Sequence, residues 1–130
     1  MIYLDSCLLI YLIEGLQRRK EQVVLAMRAK PAEFCISPMV KCECLVRPGK
    51  DGDLKLRERY LNLFAQFTSL SLPEPVYLQA AELRGRFGLR TPDALHLACV
   101  QHHDCEALWT NDGRLARASH GIARALKLRD

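Results

Sequence analysis

Four acidic residues, Asp5, Glu43, Asp93 and Asp112, stand far apart along the chain, and two of them, Asp5 and Asp112, fall just after expected strands. Carboxylates gathered in one cleft repel and weaken the fold unless something positive sits among them. A divalent cation is the simplest candidate. Oxygen donors with no accompanying histidine suit Mg²⁺ or Mn²⁺ better than Zn²⁺. A cation so held can lower the pKa of bound water, orient it for in-line attack on a phosphodiester and stabilise the leaving oxygen.

The elements around these acids set their placement. Met1 to Leu4 is a short, wholly apolar run that reads as a central parallel strand buried on both faces, and Asp5 ends it. Asp5 and Ser6 can cap a helix over Cys7 to Ile13, which is apolar almost all round, and Leu16 to Lys30 is a more polar second helix. Glu33 to Ile36 is a second strand. Ser37 and Pro38 then open a helix to about Val46, stopped by Pro48 and Gly49. Within it Glu43 shares a stripe with Met39, Val40 and Val46, so it points inward. Asp51 to Leu70 is a longer amphipathic packing helix, Ser71 and Leu72 a brief strand, and Glu74 to Phe87 a helix ended by Gly88.

Thr91-Pro92-Asp93 is a helix start with Thr91 as N-cap, running to about His103. Ala107 to Trp109 returns to strand, Thr110 to Gly113 turns, Arg114 to Ala118 is a short helix and Ile122 to Leu126 a last strand. Short strands alternating with helices imply an α/β fold, a three-layer α/β/α sandwich on a short, mainly parallel central sheet. Ligand sites in such sheets form outside the carboxyl ends of strands, and Asp5 and Asp112 share that edge.

Each acid also has a plainer explanation. Asp5 and Asp112 can serve as N-caps, Asp93 can favour the positive end of its helix by roughly 0.3–1 kcal/mol, and Glu43 can be a solvated helix residue. The joint placement is stronger than any member. Formal net charge is +4, and setting the four acids aside leaves 19 Lys and Arg against 11 Asp and Glu. From Gly113 onward Arg114, Arg117, Arg124, Lys127 and Arg129 face Asp130 alone, an arrangement that suits a polyanion or simply a solubilising surface.

At 130 residues and 49% hydrophobic content, residues 1–130 read as one domain with an ample core. The apolar stretch from Ile2 to Ile13 is interrupted by Asp5 and lacks a basic leader and a cleavage site, so no membrane anchor is expected and the cytoplasm is. Six cysteines in such a chain read mostly as small buried hydrophobes. His102, His103 and Cys105, with Cys42 and Cys44, do not repeat a zinc-site spacing.

At Tyr3-Leu4-Asp5-Ser6, Ser37 with Glu43 six residues later, Arg90 to Ala98, and Trp109-Thr110-Asn111-Asp112, the chain resembles a PIN-domain ribonuclease, in particular the VapC-like toxins of bacterial toxin–antitoxin pairs. The resemblance covers nearly the whole chain, and Thr91 to Ala98 is its most specific block. It implies acidic metal ligands at Asp5, Glu43, Asp93 and Asp112, supporting roles for Ser6, Thr110 and Asn111, and Mg²⁺-dependent cleavage of an RNA substrate; on this reading Asp5, Asp93 and Asp112 hold the metal directly or through water and Glu43 completes the charge or orients the attacking water. It further implies a homodimer and inhibition by a cognate antitoxin. Cys7 departs from it, standing where many relatives place Asn. His96 lies on the same helical side as Asp93 and is read as structural, with ligand or general base as the alternatives. Two rival readings stay open: a PIN-like binding module without catalysis, and an RNA-processing nuclease without an antitoxin.

Overall fold

Ile2, Tyr3 and Leu4 have no solvent-exposed surface, as a strand paired on both edges and covered on both faces requires. The computed structural model describes residues 1–119 and 123–125. Its elements run β1 (Ile2–Leu4), α1 (Ser6–Glu14), α2 (Gln17–Arg28), β2 (Phe34–Ile36), α3 (Pro38–Asp51), α4 (Leu54–Phe64), β3 (Thr68–Ser69), α5 (Glu74–Phe87), α6 (Thr91–His102), β4 (Ala107–Thr110), α7 (Gly113–Ala118) and β5 (Ala123–Ala125). The strands form one five-stranded sheet in the order β3-β2-β1-β4-β5, with every described pair parallel.

That order reverses direction between β1 and β4. Right-handed crossovers then place α1 to α4 on one face of the sheet and α5 to α7 on the other, giving three layers. Helix pairs α1–α2, α3–α4 and α5–α6 pack against each other within them. The core joins β1, Cys35 and Ile36 of β2 and Leu108 of β4 to Leu8 and Leu9 on one element and Ala94, Leu97 and Ala98 on another. Each fully buried Leu or Ile contributes about 1.5–3 kcal/mol. Among the described residues no helix is long and apolar enough to cross a membrane.

Three sequence expectations are corrected. The stop at Pro48 and Gly49 does not occur, and α3 continues to Asp51. Pro48 cannot donate to the Cys44 carbonyl, but its ring is buried, and its own carbonyl accepts from Gly52 N–H and, at 2.9 Å, from Asp53 N–H. Gly52, at φ 64°, supplies the left-handed turn that ends the helix. Second, α4 begins only after Asp53, whose carboxylate caps it by accepting from Leu56 N–H at 3.0 Å, and it ends at Phe64. The following residues extend as β3, because Thr68 and Ser69 pair with Cys35 and Ile36. The edge strand therefore lies at 68–69 and not at 71–72. Third, Arg90 is the N-cap residue of α6, and Thr91 and Pro92 are its first helical residues.

The inward stripe of α3 also differs. Val40, Cys44 and Pro48 are buried at four-residue spacing, while Val46 is exposed and Glu43 lies on the stripe's flank. Arg124 falls in β5, and nothing is described of its side chain; Lys127 and Arg129 lie outside the described residues.

Candidate metal centre

The crevice opens at the carboxyl ends of β1 and β4, where the loop from one strand turns toward β2 and the loop from the other toward β5. Asp5 stands at the end of β1 with its N–H on the Trp109 carbonyl at 3.0 Å. Its carboxylate is buried and caps α1, accepting from Ser6 N–H at 2.8 Å. The other oxygen accepts from the Thr110 hydroxyl at 2.7 Å. Asp5 is thus both the N-cap of the plainer reading and a fixed, inward-facing anion.

Glu43 reaches the same place from α3. Its Oε1 lies 2.6 Å from His96 Nε2, which lies 3.6 Å from Asp5 Oδ1. The ring is almost fully buried, and its Nδ1 meets the Tyr3 hydroxyl at 2.7 Å. That hydroxyl in turn meets Ser37 Oγ at 2.7 Å. Burial pushes the Tyr3 phenol well above its ordinary pKa, with the Ser37 bond acting the other way. Ser37 is the N-cap residue of α3, but its hydroxyl makes no capping bond, being committed to Tyr3.

Asp93 and Asp112 form a second group. Arg90 contacts Asp93 Oδ2 through Nε at 3.2 Å and Asp112 Oδ2 through a terminal nitrogen at 3.9 Å, and Arg114 approaches Asp112 at 3.8 Å. Asp112 caps α7 through Arg114 N–H at 2.9 Å. Thr110 joins the two groups, because the hydroxyl that donates to Asp5 accepts from Asp112 N–H at 2.9 Å. Asn111 bonds the Tyr11 hydroxyl through its amide at 3.0 Å, and its backbone N–H donates to Cys7 Sγ at 3.4 Å. The Cys7 sulfur, 3.5 Å from Asp5 Oδ2, fills the position where the resemblance leads one to look for Asn. Burial first, then the Asp5 charge, pushes its thiol up to about 12.

Among the described residues the one set of three metal-capable side chains with ligand atoms mutually within 4.8 Å is Asp5, Glu43 and His96. Asp93 and Asp112 sit beside it and are not part of it. The cluster is not oxygen alone, as the sequence led one to expect: a ring nitrogen of His96 stands within it. Two carboxylates so close, one of them buried, are the anionic pocket a divalent cation neutralises, so the residues fit such an ion. The histidines and cysteines further along do not assemble. His103 bonds the Ser71 carbonyl, Cys105 faces Cys35 at 3.8 Å, Cys42 is exposed and Cys44 is buried. Sequence reasoning gave Tyr3 and Arg90 no role and Ser37 only a cap. The available signal was a Ser at an N-cap position directly after a buried strand, and a Tyr flanked by core aliphatics.

A family model described as the PIN domain matches residues 2–121. Among curated proteins no sequence match is found. A chain of a toxin–antitoxin complex from Klebsiella pneumoniae is similar at a TM-score of 0.78 and 22% identity, over 100% of this chain and 99% of that one. VapBC2 from Rickettsia felis, bound to a DNA fragment from its promoter, aligns at 0.76 and 19%, over 98% and 100%. VapC20 of Mycobacterium tuberculosis, a sarcin–ricin loop cleaving toxin, aligns at 0.76 and 16%, over 91% and 95%. At these identities the likeness is one of fold.

Proposed function

The chain belongs to the PIN domain family, and from that premise we propose that residues 1–130 form a single metal-dependent endoribonuclease domain that serves as the toxin of a toxin–antitoxin pair. The observation that carries the proposal is the convergence of Asp5 and Glu43 within 4.8 Å at the point where strand order reverses. Asp5, Asp93 and Asp112 would hold Mg²⁺, or Mn²⁺, with Glu43 completing the charge or orienting the attacking water. A bound divalent cation supplies positive charge among the carboxylates and activates water for attack on phosphorus. The chain's own residues do the rest. Thr110 fixes the spacing of Asp5 and Asp112, Ser6 N–H and Asn111 hold the two loops, and Arg90 and Arg114, both largely exposed, present positive charge to an incoming phosphate.

Two surface features support the partner assignments. An open groove of about 390 Å³ is lined by Leu12, Ile13, Val24, Met27, Leu63 and Phe67, with Lys20 and Arg28 at its edge. It suits the apolar side of an antitoxin segment, the kind of partner present in the Klebsiella complex. Leu54 and Leu61, seven positions apart on α4, are exposed elsewhere and suit a homodimer contact. The cytoplasm, where RNA is abundant, is the expected place of action.

The test is incubation of the purified chain with structured RNA and Mg²⁺ or Mn²⁺. Cleavage is expected, with loss on chelation and in folded Asp5→Asn and Asp93→Asn variants. Undiminished cleavage by either variant would refute the assignment. Co-expression with the neighbouring reading frame tests the antitoxin, and light scattering of the purified protein tests the dimer.

A further inference from the structure

We infer that Ser37, Tyr3 and His96 form a positioning chain that fixes a proton on His96 Nε2 and holds the Glu43 carboxylate toward Asp5, so that His96 serves the centre as a donor and not as a ligand. The inference rests on the metal-centre reading above and adds residues to it.

An ionised carboxylate only accepts hydrogen bonds, so the 2.6 Å contact with Glu43 Oε1 requires the hydrogen to be on Nε2. In the neutral ring Nδ1 is then a bare acceptor, and its partner is the Tyr3 hydroxyl at 2.7 Å. The phenol proton therefore points at Nδ1, and the Tyr3 oxygen accepts from Ser37 Oγ at 2.7 Å. Every hydrogen in the series has one destination.

Ligation by His96 would need the opposite series, with hydrogen on Nδ1, the Tyr3 hydroxyl turned toward Ser37, and the Ser37 hydrogen turned away from both. Among the described residues Ser37 Oγ has no second partner, and Ser37 and Tyr3 have no exposed surface, so that last hydrogen would be buried unsatisfied. Glu43 benefits because its side chain is about 29% exposed, on a helix flank, and among the described residues makes no other hydrogen bond or ion pair to fix its rotamer. Partners of this kind, acting behind a ligand, typically alter metal affinity by about 10–100-fold.

Three measurements test the chain. In metal-free protein, ¹⁵N–¹H correlation spectra of the His96 ring are expected to show hydrogen on Nε2; the Nδ1–H tautomer would overturn the inference. In Mn²⁺-loaded protein, electron spin-echo spectra are expected to lack a directly coordinated imidazole nitrogen, and such a coupling would also overturn it. Mn²⁺ affinity should fall roughly tenfold in Tyr3→Phe, which preserves the buried ring, and 10–100-fold in His96→Leu. His96→Gln, which keeps an N–H near Glu43, should stay within a few-fold of wild type. Equal losses in His96→Gln and His96→Leu, with both folded by circular dichroism, would count against the chain. If wild type bound no Mn²⁺, the metal-centre reading would fall, while the tautomer would still decide the positioning chain.

Discussion

Replacing Asp5 by Asn changes a few atoms and tests the electrostatics of the whole crevice. Asp5 accepts two strong hydrogen bonds, from Ser6 N–H at 2.8 Å and the Thr110 hydroxyl at 2.7 Å. Bonds to an ionised acceptor are worth about 1 kcal/mol more than neutral ones, so neutralising it forfeits about 2 kcal/mol. Against that stands repulsion from Glu43. Two unit charges 4.8 Å apart, the outer limit of the cluster, repel by about 3.5 kcal/mol at an effective dielectric of 20. The relief exceeds the loss. In chelator, Asp5→Asn is expected to melt at or above wild type. With Mn²⁺ at roughly a hundred times its dissociation constant, linkage stabilises wild type by about 2.7 kcal/mol. For a chain of this length that is a rise of roughly 8–10 °C. The variant, having lost a ligand, should barely respond, so the order of melting temperatures reverses. Differential scanning fluorimetry across a Mn²⁺ titration reads this directly. An equal Mn²⁺ shift in both proteins would refute the ligand assignment, and a variant several degrees below wild type in chelator would refute the electrostatic reasoning.

Two glycines should respond oppositely to alanine. A Cβ on Gly15 would lie 2.4 Å from the Tyr11 carbonyl oxygen, so Gly15→Ala should lower stability by about 2 kcal/mol. Gly49, inside α3 with nothing within 4 Å of its Cβ position, should gain roughly 0.5–1 kcal/mol. Urea denaturation separates the two. Thr110→Val removes the hydroxyl that serves both Asp5 and Asp112, so it should cost about 1–3 kcal/mol and most of the RNA cleavage, with Thr110→Ser restoring both. Stability should also fall as pH rises above about 9. Burial raises the thiols of Cys7 and Cys99 from 9.0 to about 12, so the folded chain holds protons there that the unfolded chain releases. The loss therefore begins at the unfolded value and is complete near the folded one. Urea midpoints at pH 8 and pH 10 that coincide would contradict this.

The parts of the molecule legible in the sequence are those where one residue type has one local meaning. The apolar run Met1 to Leu4 before Asp5 reads as a buried strand, and Thr110-Asn111-Asp112 marks the turn after its neighbour. Where a residue had two uses, the local signal misled. Pro48 reads as a helix stop, but tertiary burial of its ring outweighs the lost hydrogen bond. Ser37 reads as a cap, but a hydroxyl 34 positions earlier claims it. Val46 reads as a neighbour of Glu43 on the inward stripe, but the true stripe is Val40, Cys44 and Pro48. The assembly around His96 escaped the sequence for the same reason. Its partners come from β1, from the residue before α3 and from α3 itself, and no spacing along the chain announces that meeting.

The sheet's middle is finished late in synthesis. Asp5 emerges among the first residues, and Thr110, which holds it, follows 105 positions later. At 5–20 residues per second, the β1 edge that β4 will occupy stays open for roughly 5–20 s on the ribosome. On the proposed function, no nascent chain would carry an assembled centre among the ribosome's own RNAs until then. The groove proposed for the antitoxin is different, because its last lining residue is Phe67. The proposed antitoxin could therefore be seated on the growing chain before Asp93, His96 and Asp112 have been joined to it.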